Sequence, residues 1–137
     1  MRAEPVWKVS LSAPIVAYTQ SMINTNTPAR VLGDKSILYK YLNPNMVILA
    51  SEKKAYTNAE GKQSLSSQVV ITAIDAITGS IMHRTVHKSA KGPVAITQAE
   101  NWVVYSYWST KAQRMEVAAF ELFIRDATWE GYVLLKH

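Results

Sequence analysis

An all-β fold of consecutive hairpins is what this sequence predicts, and three observations carry the prediction. Between residues 68 and 122, β-rich apolar runs alternate with turn signals. Asp75-Ala-Ile-Thr-Gly79 separates two strand-like runs, residues 68–74 and 80–86, and places an Asp/Gly turn between them. A Trp/Tyr cluster, residues 102–108, sits between two basic segments, and aromatic residues favour strands over helices.

Composition bounds what such a fold can be. The chain has 137 residues, 48% hydrophobic and 18% charged, a globular balance that argues against disorder. Fifteen Lys and Arg against ten Asp and Glu give a net charge of +5, which favours an acidic partner or an anionic lipid surface. The cations are spread from Arg2 to Lys136 without a compact stripe, which argues against nucleic-acid binding. With no cysteine there is neither a disulfide nor a thiolate site. The first twenty residues do not form a secretory signal, and no window approaches the roughly 18 apolar residues of a membrane span. On these grounds the chain as it stands reads as soluble and without an address.

In chain order, residues 6–11 alternate Trp7, Val9 and Leu11 against Val6, Lys8 and Ser10, the period of a strand with one apolar side. Residues 20–28 are polar and end in Pro28, so a loop is expected. Residues 36–42 and 46–50 are two apolar runs split by Asn43-Pro44-Asn45, which predicts a hairpin. Residues 52–67 are polar, with Asn58 and Gly61 as turn formers, and read as a long loop. After the strand at 81–86, Gly92-Pro93 is expected to stop it and reset the chain direction. Strands at 94–97, 102–108 and 115–123 complete the series, broken at Ala99-Glu-Asn101 and at residues 109–114.

Grouped by fours, the strands beginning at Ser36, Met46, Gln68 and Ser80 make one β-propeller blade, and those beginning at Val94, Trp102 and Met115 make most of a second. The expectation is therefore a partial β-propeller of roughly two four-stranded blades. It is incomplete on its own, because a ring needs about four to eight blades, and it leaves sheet edges exposed. The division is an entry strand and polar loop at 1–35, blades at 36–123 and a divergent tail at 124–137.

Catalytic signatures are missing. His83 and His87 on one strand stand roughly 13 Å apart at about 3.3 Å per residue, too far to share an ion, so no metal site is expected. There is no Gly-x-Ser-x-Gly elbow, phosphate-cradling loop or His-Glu-x-x-His helix. Asp75 is assigned to bonding its own turn. Trp102 and Trp108 fall on one face of their strand and Tyr105 and Tyr107 on the other, as in a strand buried on both sides. Tyr105 and Tyr107, with the local basic group Arg84, Lys88 and Lys91, are the candidate interaction surface.

Longer stretches carry a resemblance. Arg30-Val-Leu-Gly-Asp-Lys-Ser-Ile-Leu-Tyr-Lys-Tyr-Leu-Asn-Pro-Asn45, Asp75-Ala-Ile-Thr-Gly79, Lys88-Ser-Ala-Lys-Gly-Pro-Val94 and Glu100-Asn-Trp-Val-Val-Tyr-Ser-Tyr-Trp108 occur here in one order. Together with Thr110-Lys-Ala-Gln-Arg114 and Glu121-Leu122, they closely resemble the luminal region of the endoplasmic reticulum membrane protein complex subunit 1 family over residues 6–123. The resemblance implies quinoprotein-like propeller blades on the luminal side of the endoplasmic reticulum membrane. It further implies a non-enzymatic scaffold without a cofactor, whose partners are sister subunits and membrane-protein clients, within a complex that inserts and folds multipass and tail-anchored proteins. Membrane association would come through the remainder of a longer chain, and the tail departs from the family pattern. Two other classes stay in view: a quinone-dependent dehydrogenase, whose blades are similar, and a free-standing protein-binding domain.

Overall fold

A computed structural model describes residues 4–21, 28–57, 63–124 and 132–136, and among these it is all strand, turn and extended chain. The elements are β1 (Ile15–Gln20), β2 (Ala29–Val31), β3 (Ile37–Tyr39), β4 (Met46–Lys53), β5 (Tyr56–Thr57) and β6 (Gln63–Leu65). They continue as β7 (Gln68–Asp75), β8 (Ile81–Lys88), β9 (Ala90–Ala99), β10 (Trp102–Ser109), β11 (Arg114–Ile124) and β12 (Tyr132–Lys136). Two four-stranded antiparallel sheets form, one in the order β1-β4-β7-β8 and one in the order β12-β11-β10-β9. Two two-stranded ribbons, β2-β3 and β5-β6, are inserted in the first.

The β7–β8 hairpin forms as the Asp75-Gly79 signal predicts. The Asp75 carboxylate Oδ1 accepts from the backbone N–H of Ile77 at 2.8 Å and of Thr78 at 2.9 Å, and Gly79 takes φ +73°, a conformation that L side chains resist. Gly79 N–H then donates to Asp75 O at 2.8 Å, closing the turn.

The expected hairpin of 36–42 with 46–50 does not form. Asp34 Oδ1 accepts from Ser36 N–H and Leu32 N–H donates to Ser36 O, so β3 folds back on β2 with Val31 opposite Ile37. Tyr41 N–H next donates to Leu122 O, drawing the chain across to the second sheet. β4, eight residues long, pairs instead with β1 and β7. A local turn and a long-range bond thus take both ends of the 36–42 run away from β4.

Three further expectations are corrected. Residues 6–11 make no ladder: they run as an extended strap across the outer side of the first sheet. Trp7 Nε1–H donates to Ala76 O, Arg84 to Ser12 Oγ, and Glu52 N–H to Pro14 O. The alternation holds in part, with Val9 and Leu11 half-buried and Val6, Lys8 and Ser10 exposed, while Trp7 of the expected apolar side is 39% exposed. Secondly, Gly92-Pro93 lies within β9; β9 is an edge strand, so the missing Pro93 N–H costs no ladder bond, and the register shifts opposite it between Ser106 and Trp108. The chain turns instead at Ser89, φ +55°. Thirdly, the polar 52–67 stretch contains the end of β4 and the β5-β6 ribbon; residues 58–62, including Asn58 and Gly61, lie outside the described residues, as do 22–27 of the expected 20–28 loop.

The sheets are two adjacent blades of a partial β-propeller. The first blade begins at β1 and excludes β3; the second gains β12, which pairs with β11 from Ile124 opposite Tyr132 to Phe120 opposite Lys136. Residues 132–136 of the divergent tail are therefore the outer strand of a blade. Their shared core runs from Met46, Ile48 and Ala50 through Val69, Ile71 and Ala73 to Val103, Tyr105, Phe120 and Leu122. Burying each large aliphatic side chain contributes about 1.5–3 kcal/mol. β9 crosses against β1, β4 and β7, so the second blade leans on three strands of the first.

Candidate functional site

Beside the packing of β9 on β1, β4 and β7, side chains of β8 reach those of β10 and β11 across the blade junction. Strand alternation points His83, Thr85 and His87 inward and leaves Arg84, Val86 and Lys88 exposed on the outer side. His87 Nε2 lies 2.8 Å from the Tyr105 hydroxyl, and its ring sits 4.4 Å from that of Tyr107. The Tyr107 hydroxyl donates to Glu116 Oε2 at 3.0 Å, while the His83 ring lies 5.0 Å from Phe120. Burial, with a smaller contribution from Tyr107, pushes the Tyr105 hydroxyl up to about 12. Tyr107 is raised by burial and then by its bond to Glu116. These groups join the blades, and their hydroxyls stay protonated at neutral pH.

The meander brings alternate turns to alternate ends of the blade pair. At one end lie the Asp75 turn and the β9–β10 turn, where Lys40 pairs with Glu100 and Arg30 with the buried Glu121. At the other end the β4–β5 link, the start of β7, the β8–β9 turn and the β10–β11 turn converge on a cleft of about 640 Å³. Glu52, Lys54, Ser67, Ser89, Lys91 and Thr110 line it. Its floor is tied down by backbone bonds: Ala90 N–H donates to Ser67 O, and Thr110 donates to Ser89 O through both N–H and Oγ1. Glu52 lies so close to the chain that a Cβ at Gly92 would stand 3.1 Å from its Oε2.

A third surface is the outer side of the second blade. Val117 opposes Ser106 and Met115 opposes Trp108, and Trp102, Met115 and Val117 are exposed there. The first blade has the Trp7–Leu11 strap over its outer side, and Val70, Thr72 and Ile74 beneath are buried.

Of the sequence-predicted surface, Arg84, Lys88 and Lys91 are exposed, Lys91 at the cleft. Tyr105 and Tyr107 are 4% and 8% exposed and belong to the core. His87 and the cleft hydroxyls were not singled out as surface candidates. Their signal was topological: in a meander, residues beside every second turn share an end, and Lys54, Ser67, Ser89 and Thr110 stand at such places.

Against this geometry the similarities can be weighed. Residues 1–131 match the family described as ER membrane protein complex subunit 1, second beta-propeller. The chain belongs to that family. The match ends at residue 131, just short of β12. Relatives named ER membrane protein complex subunit 1 include those of Xenopus laevis and Gallus gallus, each 39% identical over 128 residues, 90% of this chain and 12% of the relative. The Saccharomyces cerevisiae relative is 37% identical over 111 residues, 77% of this chain and 13% of its own length. The chain therefore spans about an eighth of the relatives it matches. Family members carry a propeller there, and two blades of one are what this chain folds into.

Proposed function

We propose that this chain serves as a scaffold segment of the ER membrane protein complex, on the luminal side of the endoplasmic reticulum membrane. Its blades hold a surface for sister subunits and membrane-protein clients, and it performs no chemistry of its own. The observation that carries the reading is the family match across residues 1–131, joined to relatives whose names make them subunits of that complex. Support comes from the molecule's polar side chains. Asp75 is spent on its turn, the two inward histidines contact core aromatics, and Tyr107 and Glu116 bond each other, so these groups join and brace the blades. In this reading the complex inserts and helps fold multipass and tail-anchored proteins, and the exposed cations Arg84, Lys88 and Lys91 belong to the contact surface.

The test is capture from detergent-solubilised endoplasmic reticulum with an antibody against residues 88–108, reading the intact mass of the captured chain and its partners. The expected result is a chain that brings other subunits of the complex with it. Deleting residues 80–108 then lowers assembly or insertion of a tail-anchored client. Capture without those subunits, or unchanged assembly and insertion after the deletion, overturns the proposal.

A further inference from the structure

Charge is sorted between the two ends of the blade pair. The cleft end gathers Lys53, Lys54, Lys88, Lys91, Lys111 and Arg114 against two described carboxylates, Glu52 and Glu116. The opposite end holds Arg30, Lys35 and Lys40 against Asp34, Asp75, Glu100 and Glu121, and there Arg30 and Lys40 are paired. At the cleft end Arg114 reaches Glu116 at 3.8 Å, whereas the five lysines form no ion pair among the described residues. Sequence order hides this sorting, because the lysines are spread from position 53 to 111 and only the meander assembles them.

We infer that the cleft between the blades at this end docks an acidic polypeptide segment of a partner. Lys54 and Lys91 stand on its two sides, one on the first blade and one on the second, with Ser67 and Ser89 between them as hydroxyl donors. A lysine ammonium is a compact point charge with rotatable donors, suited to carboxylates presented at varied angles. A single small anion engages one or two of these cations. Lys54 and Lys91 on the cleft of about 640 Å³, with Lys53, Lys88, Lys111 and Arg114 at the same end of the blades, match a chain that carries several carboxylates. Such a surface steers encounter and sets specificity more than it adds raw affinity, and it weakens as salt rises.

The inference deepens the scaffold reading by giving one partner's chemistry. The two fail separately, since the scaffold reading is judged by subunit capture and this one by peptide binding to the chain itself. The experiment immobilises the 137-residue chain at low density and measures binding of hexaglutamate by surface plasmon resonance, with hexaglutamine as the uncharged control. Lys54→Glu with Lys91→Glu is expected to weaken hexaglutamate binding about tenfold, the sum of two modest exposed charge contacts each turned repulsive. Lys8→Glu, on the strap beside the opposite end, is expected to change it less than about twofold, as a distant screened charge should. Lys88→Glu with Lys111→Glu supplies a second reversal at the same end of the blades, outside the cleft lining, and unchanged tryptophan emission certifies the fold of each variant. Equal weakening by Lys8→Glu reduces the effect to net charge and overturns the proposal. So does binding indifferent to both reversals, or absent from the parent chain. Association with phosphatidylserine vesicles that the cleft reversals abolish, without hexaglutamate binding, overturns it in favour of a lipid surface.

Discussion

His87 and Tyr105 show how much a single contact between blades contributes and how it responds to pH. A tyrosine in the unfolded chain loses its proton near 10, whereas burial holds Tyr105 protonated up to about 12. Between those values the unfolded chain binds fewer protons than the folded one, so stability is fully present below pH 10 and falls as pH rises toward 12. Tyr105→Phe is expected to cost about 1 kcal/mol at neutral pH, through the lost bond to His87, and to flatten that alkaline fall. Urea midpoints of parent and variant from pH 8 to 12 check it; parallel curves would refute the assignment to Tyr105. Asp75 is the opposite case: its bonds to Thr78 and Asn43 hold it below the usual carboxylate range, and it was legible at once. An Asp beside a Gly four residues on acts through neighbours in the chain. Tyr105 was legible only as an aromatic on one strand face, because its partner lies on another sheet.

Strands and turns divide along the same line. The β7–β8 and β10–β11 hairpins have their turn residues and both apolar runs adjacent in sequence, and both appear where the pattern puts them. The 36–42 run was paired with the wrong neighbour because its real partners, β2 and the Leu122 carbonyl, compete through bonds that no local pattern displays. The Trp7–Leu11 strap is the instructive mixture. Val9 and Leu11 of its alternation are half-buried while Trp7 stays exposed, and that burial comes from lying across a sheet, not from joining it. Trp7 is the anchor: a Cβ added at Gly79 would stand 2.7 Å from its ring. Gly79→Ala therefore expels the indole as well as straining the turn, and is expected to destabilise by about 1–2 kcal/mol at this positive φ. Its tryptophan emission should shift to the red, and the shift should vanish in a Trp7→Phe background. A shift that persists there would place the disturbed indole elsewhere.

The blade pair as a body has one strapped side and one open side. Trp102, Met115 and Val117 leave an apolar sheet face on the second blade, and uncovered sheet of this kind promotes association. The chain is therefore expected to self-associate in dilute buffer, and Val117→Lys, at a position 72% exposed, to shift it toward monomer. Folding stability should change by no more than about 0.5 kcal/mol, as for a surface site free of special contacts. Sedimentation velocity of the two proteins decides it: a parent chain that stays monomeric would sink the prediction.

Hydrophobic alternation and Asp/Gly turn chemistry act over a few residues, so the all-β class, the central hairpin and the two-blade count could be read from residues alone, and long ordered motifs added the family. Which strand opens the first blade, that residues 132–136 close the second, and that Lys54 and Lys91 line one cleft are decisions of tertiary pairing. They depend on which of several compatible edges wins a ladder, a competition settled by bonds such as Tyr41 to Leu122 between residues 81 positions apart. Local patterns carry the shape of each strand, but the ends at which charges meet exist only once the meander is laid down.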